Sequence, residues 1–171
     1  AIMTLAPPKV KDAQKRMARY YQKRLKELAT TYKEGEVKYA LERYDAESSQ
    51  IERILYWVDA YPDKDADIAW LFVQFLVDGS TLFMCRLDTP HLLELCQRAL
   101  HWAKYQNREV DVLELHMIIA NSYSLLGHYQ KSIDSFQDSL AIAQKLGQKA
   151  QMAHISFNVG EEHMYLGLPR E

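Results

Sequence analysis

Six histidines, two cysteines and 23 carboxylates are enough for metal, nucleophilic or acid–base chemistry if their spacing brings them together. A phosphate-holding loop needs Gly-x-x-x-x-Gly-Lys-Ser/Thr, so that backbone amides and a lysine meet the phosphate oxygens; no Gly-Lys pair occurs in the chain. The zinc-protease pattern HExxH and the nucleophile elbow GxSxG are missing too. The densest histidine–carboxylate group is His154, Glu161, Glu162 and His163. On a helix, however, His154 and His163 lie about 180° apart and cannot share one ion. Cys85 and Cys96 lack metal-type CxxC spacing and read as reduced core thiols of a cytoplasmic protein. The expectation is a protein without catalytic residues, cofactor or metal.

The elements that carry these residues read as helices throughout. After Pro7-Pro8, the apolar positions Val10, Ala13, Met17, Tyr20, Tyr21, Leu25, Leu28 and Tyr32 recur in steps of three and four, which predicts one long amphipathic helix interrupted at Gly35. A second stretch runs through Tyr44, Ile51, Leu55 and Val58 and stops at Tyr61-Pro62, because proline cannot continue a helix. Acidic residues from Asp63 to Asp67 suit the start of a third helix, reaching about Arg86. Asp88-Thr89-Pro90 reads as cap plus first-turn proline for a fourth, ending near Gln106. Three more follow over about 109–126, 128–146 and 148–166, with Gly127, Gly147 and Gly167 placed for left-handed C-caps.

Composition agrees with an all-α fold: six glycines and five prolines leave few breaks, and 48% hydrophobic residues suit a folded globular chain. The longest apolar run, Ile68 to Val77, is shorter than the roughly 18 residues of a membrane span, so no membrane role is expected. The start, Ala1-Ile2-Met3-Thr4-Leu5, lacks the features of a secretion signal and reads as a cut inside a longer protein. Net charge is near zero but uneven. Residues 1–35 hold nine Lys/Arg against three Asp/Glu, leaving twelve against twenty for the rest, so the first segment stands at +6 and the remainder at −8. A positive helix can hold nucleic acid, yet no recognition motif accompanies it. The favoured reading is a solvated face attracted to the acidic body of its own chain.

Internal similarity at a fixed offset organises the second part. Ala120 and Gly160, Leu126 and Leu166, and Gly127 and Gly167 pair forty residues apart, and Ser139-Leu140 maps back onto Ala99-Leu100. A period between about 34 and 47 residues with two helices per unit is the signature of an α-solenoid. The chain therefore divides into an N-terminal helical segment, 1–62, and a repeat region, 63–171. Within the latter, 63–107 is a degenerate unit, 108–147 the best one and 148–171 a truncated one.

Residues 113–146 resemble a tetratricopeptide repeat. Ile119-Ala120 stands at that family's Leu-Gly pair, Tyr123 at the tyrosine of its first helix and Gly127-His128-Tyr129 at the turn, with Ser132, Phe136, Ser139 and Leu140 at the positions of its second helix. Close helix approach needs small side chains at Ala120, Ser132 and Ser139, while Tyr123 and Phe136 fill the gaps. The resemblance implies a right-handed α-solenoid of antiparallel helix pairs, with His163 at the tyrosine position of the next unit. Upstream, Arg16-Met17-Ala18-Arg19-Tyr20-Tyr21, Glu47 to Trp57 and Leu93 to Ala103 resemble the helical region after the winged helix in bacterial NB-ARC-containing STAND regulators. Glu47 matches the glutamate of that pattern, whereas Ser49 and Gln50 stand near its missing asparagine.

These resemblances imply a protein-binding or ligand-sensing scaffold in the cytoplasm, the repeat arm of a larger signalling or transcriptional regulator whose ATPase lies elsewhere. A free-standing adaptor and a nucleic-acid-binding helical module are the alternatives. First-helix residues line the concave surface of such repeats, pointing to Glu114, Met117, Asn121, Ser124, His154, Phe157, Glu161 and Met164 as the partner groove. Relatives that bind terminal carboxylates use lysines there, and Met117 and Phe157 at a lysine position disfavour such a ligand. Helix 148–166 should lack its hairpin partner, which predicts self-association through that end.

Overall fold

The computed structural model describes residues 8–61 and 65–167, in which seven helices and no strand occur. They are α1 (Pro8–Lys33), α2 (Val37–Ala60), α3 (Ala66–Arg86), α4 (Thr89–Tyr105), α5 (Glu109–Leu125), α6 (Tyr129–Lys145) and α7 (Lys149–Gly167). The fold is all-α, as the periodicity predicts. The N-terminal cut, Pro62 as the stop of α2, Asp63, and Leu168-Pro169 fall outside the described residues.

Contacts divide the chain into Ala1–Leu82 and Phe83–Glu171. This boundary lies twenty residues beyond the 62/63 junction expected from sequence. Ion pairs tie α3 to α1: α3 carries Asp67 and Asp78, and Asp65 precedes it, all three held by lysines of α1.

In the first unit α1 packs along α2. Ala18, Leu25, Leu28 and Ala29 form the buried stripe of α1, and Ala40, Tyr44, Ile51, Ile54, Leu55 and Val58 that of α2. The chain reverses between them at Gly35, whose φ of 101° an L side chain rarely adopts. Asp65 starts α3: its carbonyl accepts from the amides of Ile68 and Ala69, and its carboxylate accepts from the Asp67 amide. α3 is long and apolar enough to cross a membrane by length and composition, which the shorter run Ile68 to Val77 conceals in the sequence. More than half of that stretch is buried within the protein, with Leu71, Phe72, Phe75 and Leu76 fully enclosed.

The second unit is more regular than a forty-residue repeat requires. Helices α4 to α7 begin at residues 89, 109, 129 and 149, twenty residues apart, and each packs on the next. Three turns are built alike. Asn107, Gly127 and Gly147 take φ of 54°, 71° and 67°. In each turn the residue after the left-handed one donates its amide to the carbonyl five residues back, as in Arg108 to Ala103, His128 to Tyr123 and Gln148 to Ala143. The left-handed residue itself donates to the carbonyl three back. This is the Schellman closure, which satisfies the last carbonyls of a helix and turns the chain sharply. Asn107 performs the role with a side chain, which asparagine tolerates better than most residues. Asp88 caps α4 by accepting from the His91 amide, with Pro90 in the first turn. Gly167 behaves differently from Gly127: it is the last helical residue of α7, which runs two residues longer than α5.

Candidate functional site

The packing of α5 on α6 sets the geometry of the expected groove. Leu113, Met117, Ala120, Phe136, Ala143 and Ile155 form one buried cluster spanning α5, α6 and α7, with Leu140, Ile142, Met152 and Val159 against its edge. Ala120 is fully buried, as expected of a position where helices approach closely. Ser139 does more than stay small. Its hydroxyl donates to the Leu113 carbonyl at 2.8 Å in the buried interface, tying α6 to the α5 backbone. Such a bond contributes on the order of 1 kcal/mol. Ser132 is also fully buried, and its Oγ has no hydrogen-bond partner. Tyr123 reaches back to α4, accepting from Gln97 Nε2 at 3.1 Å, and its ring meets His128 edge-on beneath the Lys131 ammonium. Tyr129 stacks on Tyr165 of α7 at 5.4 Å.

The eight groove residues fall into two groups. On α5, Met117 is buried, and Glu114, Asn121 and Ser124 are half-buried. Glu114 is held from α7, accepting from Gln151 Nε2 at 3.0 Å. On α7, Glu161 is half-buried while His154, Phe157 and Met164 are exposed, Phe157 by 65%. The open part of the predicted groove is therefore on α7, with Asn121 and Ser124 partly accessible on α5.

Other packing positions depart from their expected burial. Gly160, the counterpart of Ala120, is exposed, and no atom lies within 4 Å of where its Cβ would be. His163, expected to pack like Tyr123, is also exposed. Gly160 sits on the side of α7 opposite the buried Ile155 and Glu162, where no described residue covers it as α6 covers Ala120 of α5. Cys85 is exposed rather than in the core; Cys96 is fully buried, and burial pushes its thiol well above the ordinary range. Neither forms a disulfide.

Some buried polar groups were not legible as such. Glu162 is almost fully buried, with Oε2 lacking a hydrogen-bond partner. Its position seven residues after Ile155, on the inward side, was the available signal. His116 is buried between α5 and α6, with Nδ1 3.6 Å from Asp138 Oδ2. Burial lowers its pKa, Asp138 opposes that, and Lys104 adds to it.

The basic face of α1 meets carboxylates of its own unit. Lys11 and Lys15 lie 2.8 and 2.7 Å from Asp65, and Lys15 and Arg19 also reach Asp67. Lys26 pairs with Asp78, and Arg24 donates through Nε and Nη2 to Glu47 Oε1 at 3.1 and 3.0 Å. Burial pushes the Asp65 carboxyl up, but the two lysines more than offset it and hold its pKa at about 2. Each exposed pair adds little alone, and the shared Lys11–Asp65–Lys15–Asp67 network is the more effective arrangement.

Two shallow cavities open near the helix turns. One of about 190 Å³ is lined by Lys104, Asn107, Arg108, Glu109, Val112 and Ile142, where Arg108 already binds Asp111 and Lys145 binds Glu109. The other, about 230 Å³, lies against Gly127, His128, Tyr129, Lys131 and Leu166. Neither includes a groove residue. Among the described residues no three His, Cys, Asp or Glu side chains come together as a metal site would require. No protein-family model matches the chain, and no curated protein is similar enough to be matched to it.

Proposed function

We propose that the chain is a segment of a right-handed α-solenoid of tetratricopeptide-like helix pairs that binds a protein or peptide partner. On this reading it is a sensing or scaffolding arm of a larger cytoplasmic regulator of the STAND type. The observation that carries the binding role is the exposed apolar pair Phe157 and Met164 on α7, together with the half-buried polar groups of Asn121 and Ser124 on α5. Large apolar side chains left open on an ordered helix, with polar groups at the margin, have the chemistry of a recognition surface. The twenty-residue helix module and the sequential packing of α4 to α7 support the solenoid; the regulator context rests on the sequence resemblance.

A peptide library selected against the purified chain tests this. Phe157→Ala combined with Asn121→Ala should weaken the selected peptides at least about tenfold at unchanged melting temperature. Tyr20→Ala and Tyr56→Ala, on other exposed aromatics, should leave binding alone. Peptides indifferent to the first pair of substitutions would count against the groove. The nucleic-acid alternative has less behind it, because Lys11, Lys15, Arg19, Arg24 and Lys26 already face carboxylates. It would require binding to DNA or RNA that weakens steeply with salt.

A further inference from the structure

We propose that the outward face of α7 pairs with the same face of a second copy of this chain, antiparallel, about a two-fold axis passing between residues 158 and 159. The seam shares Phe157 and Met164 with the proposed partner groove, so a second copy would compete with a peptide for this face, but the pairing does not rest on peptide binding. Ala153, Phe157, Gly160 and Met164 recur at steps of four, three and four, the seam spacing of two helices packed side by side. All four are exposed, whereas the opposite side of α7 holds the buried Ile155 and Glu162.

Sizes along the seam match across the two-fold. Phe157 faces Gly160 of the second copy, and Met164 faces Ala153, so each large side chain meets a small one and the same two contacts repeat by symmetry. Gly160 leaves room for an aromatic ring because nothing lies within 4 Å of where a Cβ would stand. The flanks match too: antiparallel packing sets His154 on the same flank as Glu161 of the second copy, a hydrogen-bond donor beside an acceptor, and the seam itself carries no charge. A single pair of 19-residue helices covers less than the roughly 1,200 Å² of a stable complex, so the pairing is weak, with a dissociation constant of about 10⁻⁵ to 10⁻³ M.

Sedimentation equilibrium of the whole chain tests the register as well as the contact. Wild type should form a dimer in that concentration range. Gly160→Gln should weaken it at least about tenfold while the melting temperature holds or rises, since an exposed helical glycine is being replaced by a better helix former. Phe157→Ala should weaken it too. The double variant Phe157→Ala with Gly160→Phe exchanges large and small across the axis and should restore pairing to within about threefold of wild type. A wild type that stays monomeric to about 1 mM overturns the proposal. So does pairing untouched by Gly160→Gln, or a double variant no better than Phe157→Ala alone. A monomeric wild type that binds a synthetic peptide of residues 129–145 would assign the face to a different helix and overturn it as well.

Discussion

Helices α5 and α7 stand forty residues apart in the same register and meet different surroundings. α5 lies between α4 and α6, while α7 packs on α6 and leaves its far side open. Ile155 and Leu115 occupy equivalent positions and are both fully buried. Met117 and Phe157 are also equivalent, yet exposed by 8% and 65%, and buried Ala120 answers to exposed Gly160. The difference teaches that repeat periodicity specifies which way a side chain points, whereas burial depends on the neighbour standing there. The same stripe that forms core on α5 is left exposed on α7.

The sharpest way to break this comparison is to truncate one aromatic on each side of it. Phe136→Ala should cost about 3 to 5 kcal/mol, because it removes a ring from the cluster around Ala120 and leaves a cavity. Phe157→Ala should change stability by less than about 0.5 kcal/mol in chemical denaturation at low protein concentration. Comparable losses would mean that Phe157 is packed in solution.

Adding volume gives the next largest effect. Ala120→Leu should cost roughly 1 to 3 kcal/mol by overpacking the α5–α6 contact, while Gly160→Leu should be neutral or stabilise by up to about 1 kcal/mol. Thermal melts ranking these two the other way would reverse the roles given to the helices.

Much of this was readable in the sequence, and all but one of the failures came from neighbours that only the fold supplies. The helix breaks at Gly35, Asp88-Thr89-Pro90, Gly127 and Gly147 are local backbone chemistry, which sequence carries directly. Asn107 escaped because asparagine in a left-handed turn is less conspicuous than glycine. Assigning packing to Gly160 and His163 copied the surroundings of α5 onto a helix with a different neighbour. The charge imbalance of residues 1–35 showed that α1 would seek carboxylates, but not that Asp65, Asp67 and Asp78 would answer and draw most of α3 into the first unit. Ser139 read as a substitute for alanine because its bond to the Leu113 carbonyl exists only once α6 lies on α5.

Acid titration offers a smaller, more selective test. A buried His116 with a lowered pKa favours the neutral form, so its contribution is present above the unfolded value of 6.5 and is lost as pH falls through the folded one. Wild type should therefore lose stability as pH drops below about 6.5, and His116→Gln should flatten that slope. Ser156→His, at the equivalent exposed position of α7, should add no comparable slope. In the first unit the sign is the same but the window lower: the depressed Asp65 carboxyl contributes above its ordinary value of 3.8 and is lost toward pH 2. Asp65→Asn keeps a capping side chain and should cost about 1 kcal/mol at neutral pH after allowing for solvent screening, with the difference closing in that acid window.

Amide hydrogen exchange resolved by residue tests most directly the claim that α7 presents an open face. In dilute protein, amides from 153 to 164 should exchange at least about tenfold faster than those from 113 to 124, because α7 can open locally without unfolding the α4–α6 core. Raising the concentration should slow α7 selectively as second copies cover Phe157 and Gly160. Equal protection of the two stretches at every concentration would contradict the account, showing that the two helices are held alike.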